Sequence, residues 1–188
     1  ERPRANVLID DRALYEIYLD GFRTAIDKGH PWSVMAAYNL YNNEHLCHNS
    51  VVLCDVLKGE WAYDGAVVSD WGGCHDTDQA IHNGLDLEFG TGTNGVDKNV
   101  PNKYDYYHMA KPYEQKILAG EVGQEELDDK CRRVLKLMLR TQKGGKKGWG
   151  SMNSPEHWVD ARRIGTEGIV LLKNDNSVLP IPKDVRKI

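Results

Sequence analysis

Each of several absences in this chain of 188 residues excludes a class of function. No apolar run approaches the ~20 residues needed to cross a bilayer, so no membrane partner is expected. There is no surplus of positive charge. Lys and Arg total 24 against 28 Asp and Glu, and the net charge of −4 argues against a nucleic-acid partner. None of the four cysteines, Cys47, Cys54, Cys74 and Cys131, falls in a C-x-x-C pair. Their spacings suit neither a zinc site nor a small disulfide scaffold, and Cys54 and Cys131 read as small hydrophobes on helices. His45, Cys47 and His48 lie too close together in one loop to converge on an ion, so no metal is expected. The glycine-rich stretch 90–95 lacks the G-K-[ST] ending and the spacing of a dinucleotide fingerprint, and reads as a mobile loop. No internal repeat is evident, and the sequence starts at Glu1 without a signal-like apolar segment, as after removal of a leader or in an internal piece, so it does not report its own targeting.

What remains is globular: 40% hydrophobic, 28% charged and 18 glycines, in a length that makes one domain or two. Residues 11–28 predict an amphipathic helix, with Leu14, Ile17, Tyr18, Phe22, Ala25 and Ile26 at three- and four-residue steps. Asp10 or Asp11 can cap its start. Residues 33–38, short and mostly apolar, predict a buried strand. Asn49 or Ser50 then caps a helix that turns Leu53, Val56 and Leu57 inward. The Asp64-Gly65 turn leads into a second strand, 66–69, a third helix over 75–83 closed by Gly84, and a third strand candidate, 85–89. Strand, helix, strand, helix, strand at this spacing describes βαβ units and an α/β fold.

Two further helices are expected near 106–119 and 124–141, the second with Leu127, Cys131, Val134, Leu135 and Met138 on one face. Composition then shifts: residues 143–150, with three lysines among four glycines, read as a solvated linker. A helix over 156–167 leads into Ile169-Val170-Leu171-Leu172 and a turn at 173–176, as if a new domain began near residue 155.

The candidate for chemistry is Asp70. A buried β-branched run, Ala66-Val67-Val68-Ser69, ends abruptly in Asp70, Trp71, Gly72 and Gly73. A parallel strand delivers an acidic side chain to the mouth of an α/β fold in this way, because sites lie at the carboxyl ends of such strands. Trp71 adds a flat apolar face suited to a sugar ring, and Asp70 an anion for a developing oxocarbenium ion. An Asp ending a strand can also do no more than cap the next helix.

The run V-V-S-D-W-G-G, preceded by Gly59-Glu60-Trp61-Ala62-Tyr63-Asp64-Gly65, resembles the nucleophile region of family 3 glycoside hydrolases, the β-glucosidase and β-xylosidase group. The resemblance continues in family order over nearly the whole chain. It includes the helix from Arg12 to Leu19, the strand from Ser33 to Asn39, Gly84-Leu85-Asp86-Leu87-Glu88, the late helix around Leu127 to Leu135, and Glu167 to Asn174.

The fold implied is the C-terminal half of a (β/α)8 TIM-like barrel over 1–142, a linker over 143–155, and the start of a second, α/β sandwich domain over 156–188. The function implied is retaining hydrolysis of β-linked glucosides or related sugars, with Asp70 as nucleophile and a covalent glycosyl-enzyme intermediate. Trp71, Tyr38 and Met35 match substrate-binding positions. Met35 read alone could equally pack in a core, and Tyr38 could be a plain strand-end aromatic. Trp71 after the Asp favours the glucosidase and xylosidase branch over the N-acetylglucosaminidase branch. The resemblance implies a β-linked oligosaccharide or aryl glycoside as partner, no cofactor, and a periplasmic or extracellular setting.

A complete barrel needs eight strands in about 250 residues, and three candidates are found. The family's earlier sugar-binding strands are not recognised, and its general acid/base, a glutamate of the second domain, is expected beyond this chain. Asp86 and Glu88 are the nearest carboxylates, with a structural or sugar-hydroxyl role expected for them. Two other classes stay open on the residues alone: a catalytically incomplete, sugar-binding or structural piece, and a metal-dependent hydrolase, the latter disfavoured by the lack of clustered histidines.

Overall fold

The computed structural model describes residues 2–90, 103–143, 148 and 150–187. The glycine-rich loop after Gly90 and most of the 143–150 linker lie outside them. The chain divides into two compact units, Glu1–Gly145 and Lys146–Ile188, each taken by itself below.

Two small sheets organise the first unit. Strands β2 (Ser33–Met35) and β5 (Ala66–Val68) pair in parallel, Val34 opposite Val67, with the helical segment Val51–Glu60 on the crossover between them. The segment after α3 (Thr77–His82) runs parallel along the other side of β5 and joins it through one bridge, Val68 to Leu87. The expected βαβαβ order is therefore present, with its third strand reduced to a bridge held by the Ser69 and Leu87 backbone bonds to it.

A second sheet was not foreseen. Strand β1 (Asn6–Val7) pairs in parallel with β3 (Leu40–Tyr41), which turns back into β4 (Glu44–His45). The turn is Asn42-Asn43, both at positive φ (47° and 69°). Two left-handed residues in a two-residue loop match the twist of a hairpin, and asparagine tolerates that conformation best after glycine.

The first helix runs as α1 (Asp11–Ala13), a wide π-wound stretch (Leu14–Tyr18) and α2 (Asp20–Gly29). Asp10 caps it by accepting the Ala13 N–H at 2.8 Å. The wide turn, closed by Leu19 N–H to the Leu14 carbonyl, slips the register by one residue. Leu14, Leu19 and Ile26 face inward, while Ile17, Tyr18 and Phe22 of the predicted stripe stay exposed. In the Val51–Glu60 segment the prediction is met: Leu53, Val56 and Leu57 are buried, and Asn49 accepts the Val52 N–H at 2.9 Å.

All three residues of β5 are buried, in a core with Leu53, Leu57, Ala80 and Leu85. β2 is different: Ser33 and Met35, which share one face of the strand, are exposed, while Val34 on the other face is half-buried. The expectation of a buried strand over 33–38 holds only for the face that carries Val34 and Ala36.

Helices α4 (Lys111–Leu118) and α5 (Gln124–Gln142) follow. On α5 the expected apolar stripe is not the main attachment: Cys131, Leu135 and Met138 are exposed and Lys130 is buried. Cations do the fastening. Lys130 donates to the Leu85 carbonyl at 2.6 Å, and Arg133 to the Tyr63 and Gly65 carbonyls at 2.8 and 2.9 Å. Lys136 and Arg140 pair with Asp64. These carbonyls border the start of β5 and would otherwise be unpaired.

In the second unit, α6 (Pro155–Gly168) forms as predicted, with proline in its first turn. Ile169 to Leu172 form no strand and are exposed, and no described residue of this unit is buried. Among the described residues, no helix is long and apolar enough to cross a membrane.

Candidate functional site

The turn at the end of β5 is built from both backbone and side-chain bonds. Gly73 N–H closes it on the Asp70 carbonyl at 3.0 Å, and Gly72 occupies the position that requires positive φ (65°). At Gly73 a Cβ would sit 2.6 Å from Cys47 Sγ, so the backbone passes over a buried thiol that leaves room for nothing larger.

Ser69, fully buried, splices the neighbouring segment onto the turn. Its hydroxyl accepts the Phe89 N–H at 2.7 Å and donates to the Phe89 carbonyl at 3.3 Å. Its own N–H reaches the Leu87 carbonyl at 2.9 Å, and Gly72 N–H reaches the Phe89 carbonyl at 3.0 Å. This role for Ser69 was not read from the sequence. A serine inside a β-branched run was the available signal.

Asp70 therefore emerges half-buried where the strand ends. Its Oδ1 accepts the Trp71 N–H at 2.7 Å. It does not cap the next helix: Asp76 does, accepting the Gln79 N–H at 2.8 Å. The capping reading of the strand-end carboxylate is thereby removed.

Tyr38 stands beside it. The Tyr38 hydroxyl donates to the Trp71 carbonyl at 2.8 Å, and its pKa is raised, first by burial and then by the hydrogen bond and negative charge of Asp70. The Arg2 guanidinium lies over the Tyr38 ring, 5.2 Å from its centroid. Trp71 is 47% exposed and stacks on Phe89 at 5.3 Å.

Two open hollows meet here. One, about 480 Å³, is lined by Trp71, Gly72, His75, Glu88, Tyr106 and Tyr107, among others. The other, about 590 Å³ and largely apolar, contains Asp70 and Met35 in its wall. Tyr38 and Arg2 border both. All four sequence-predicted residues thus come together, and Met35 is an exposed wall residue rather than core packing.

The two neighbouring carboxylates part company. Asp86 is buried in an ion pair with Lys58 (2.7 Å) and accepts the Val67 N–H at 2.7 Å, which is a structural assignment. Glu88 lines the first hollow and accepts the Met109 N–H at 2.8 Å, and burial raises its carboxyl pKa.

Beneath the turn lie two buried thiols and a cluster of histidines. Burial pushes the Cys47 thiol up to about 11 and raises that of Cys74, so both are held as neutral thiols. His45 and His75 stack at 3.9 Å, with His48 edge-on to His45 at 5.8 Å. His48 is buried with neither ring nitrogen hydrogen-bonded, and burial lowers its pKa to about 4. Among the described residues, no group of three His, Cys, Asp or Glu side chains is disposed to hold a metal ion.

A mixed α/β fold with an aspartate at the carboxyl end of its buried strand is the class these observations define. Residues 3–137 match the model of the glycosyl hydrolase family 3 N terminal domain, and the chain belongs to that family. Over 187 residues it is 43% identical to a beta-glucosidase of Bacteroides ovatus, aligning 97% of this chain and 25% of that protein. Beta-glucosidase B of Emericella nidulans is 38% identical, over 96% of this chain and 20% of its own length. Among solved structures, the GH3 beta-glucosidase of Bifidobacterium adolescentis superposes with a TM-score of 0.70 at 31% identity, covering 96% of this chain and 24% of that one. The Kluyveromyces marxianus beta-glucosidase in complex with glucose gives 0.70 at 33%, covering 97% and 22%. The chain thus spans a fifth to a quarter of the relatives it matches.

Proposed function

We propose that this chain carries the nucleophile half of a retaining β-glucosidase site. The observation that carries the reading is Asp70, half-buried at the end of β5 in the wall of the apolar hollow, next to Tyr38, which borders both hollows and whose hydroxyl holds the Trp71 carbonyl. In this reading the Asp70 carboxylate attacks the anomeric carbon of a β-linked glucoside, in an oligosaccharide or an aryl glycoside. The bond to the leaving oxygen breaks as that oxygen takes a proton, and the resulting glycosyl ester is then hydrolysed by water with inversion at each step.

Trp71 offers its exposed face to the sugar, Met35 walls the other side, and Tyr38 orders the carboxylate. Glu88, a carboxyl whose pKa is raised, is assigned to a sugar hydroxyl. The general acid is assigned, on the family resemblance, to the second domain. Residues 1–142 are then part of a (β/α)8 barrel and residues 156–188 the entry to that second domain, joined by the 143–155 linker. The reaction calls for two carboxyl groups and no cofactor.

The test is hydrolysis of an aryl β-glucoside by the full-length protein that contains this chain. Asp70→Asn is expected to lower kcat more than about a thousandfold, as removal of a nucleophile does, with the fold unchanged by circular dichroism. Undiminished turnover in that variant would exclude Asp70 as nucleophile.

A further inference from the structure

The peptide of Tyr38 lies beyond the end of β2, so the β2–β5 ladder does not hold it. The imidazole of His45 does. Its Nδ1 lies 3.1 Å from the Tyr38 carbonyl oxygen. A carbonyl only accepts, so Nδ1 carries the proton and donates it, which fixes the tautomer of His45.

The ring itself is clamped. His75 stacks on it at 3.9 Å, and the buried His48 ring meets it edge-on at 5.8 Å. The Asn42-Asn43 hairpin brings His45 there, with Leu40 paired to His45 and Tyr41 to Glu44. At the other end of the same tyrosine, the hydroxyl holds the Trp71 carbonyl at 2.8 Å, and Trp71 N–H holds Asp70 Oδ1 at 2.7 Å. Three hydrogen bonds, joined through the covalent frames of Tyr38 and Trp71, therefore link His45 to the carboxylate.

We propose that His45 is a positioning residue for Asp70: by donating to the Tyr38 carbonyl it sets the place of the Tyr38 hydroxyl, and with it the turn that aims the carboxylate. The proposal rests on the reading of Asp70 as nucleophile. His45 does not touch the sugar and takes no part in proton transfer. A reacting carboxylate must be held within about half an ångström of its productive place, and one misplaced support is felt in the chemical step more than in binding.

Two variants of the full-length protein separate the roles of this ring. In His45→Phe a ring remains to stack on His75, but the donor is gone. In His45→Asn the amide nitrogen takes the place of Nδ1, so the donor remains without the ring. With an aryl β-glucoside, His45→Phe is expected to lose about tenfold in kcat, the upper worth of one hydrogen bond, at nearly unchanged KM. His45→Asn is expected to recover most of that loss. The Trp71 amide resonance, which reports the bond to Asp70 Oδ1, should shift in His45→Phe and return toward its wild-type position in His45→Asn.

Equal losses in both variants, a loss confined to KM, or an unmoved Trp71 amide in His45→Phe would overturn the proposal. A wild-type protein with no glucosidase activity would instead refute the functional reading, and the Trp71 amide would then decide the positioning role by itself.

Discussion

Two short apolar runs in this chain have met opposite fates. Ala66-Val67-Val68 is a fully buried strand with a partner on each side. Ile169-Val170-Leu171-Leu172, no less apolar, forms no strand, and Leu172 is 91% exposed. Intrinsic preference does not separate them, since both are rich in strand formers. The difference is company. β5 has β2 on one edge, the Leu87 segment on the other, helices over its faces, and ionic groups that take up the polar atoms around it. The later run has none of these among the described residues. A strand is a property of the layer that receives it, and the first run is also the one that carries the candidate nucleophile.

The comparison is broken most severely by removing the ionic support of β5. Asp86→Ala would leave the half-buried Lys58 ammonium without its partner and the Val67 N–H without an acceptor. The expected loss is about 3–5 kcal/mol, as for other broken buried pairs, seen as a large fall in the denaturation midpoint. A loss under 1 kcal/mol, on the order of a surface pair, would show that β5 is held by apolar packing alone.

Next in size is the splice. Ser69→Ala removes the partner of both the Phe89 N–H and its carbonyl in a buried place. It should cost about 1–3 kcal/mol and expose the amides of residues 87–89 to hydrogen exchange, those of β5 less so.

The histidine buried near this end of the strand gives a pH test. His48 is neutral in the folded chain until about pH 4, whereas in the unfolded chain it takes a proton near 6.5. The unfolded state therefore binds more protons between these values, and stability falls as pH drops from about 6.5 to 4. The share of His48 is on the order of 1–3 kcal/mol. His48→Leu should flatten that part of the stability-versus-pH curve without lowering stability at pH 5. An unchanged slope would mean that water reaches the ring.

The smallest effect belongs to the second run. Leu171→Ser in the 188-residue chain is expected to change stability by no more than about 0.5 kcal/mol, as at other exposed sites. In the full-length protein, if a sheet receives this run, the same substitution should cost about 2 kcal/mol or more. Equal costs in both settings would contradict the argument that neighbours make the strand.

What could be read in the sequence was what is local. The Asp70 turn was visible because a β-branched run, a carboxylate and two glycines are adjacent, and their chemistry decides the backbone there. The inward face of the Val51–Glu60 segment was visible through its apolar spacing and the Asn49 cap, and helix α6 was expected over 156–167. The register of the first helix was not, because a single wide turn moves Leu19 inward and Ile17 outward without marking the composition. The cations of α5 were hidden for another reason: a lysine or an arginine in a helix gives no sign of the carbonyls it meets until the segments around β5 are placed beside it. The neighbours of His45 in sequence do not show that its ring stacks on His75 and meets the Tyr38 carbonyl. The Asn42-Asn43 hairpin that puts it there had a legible signal in its two asparagines.

The most direct measurement is covalent trapping. A 2-fluoro β-glucoside with a good leaving group forms the glycosyl ester of a retaining enzyme faster than it releases it. Incubated with the full-length protein and digested, it should leave its sugar on the peptide holding Ser69-Asp70-Trp71, at the Asp70 carboxylate and in a one-to-one amount. A label on Glu88 or another carboxylate, or turnover of the natural glucoside with no label anywhere, would contradict the assignment of Asp70.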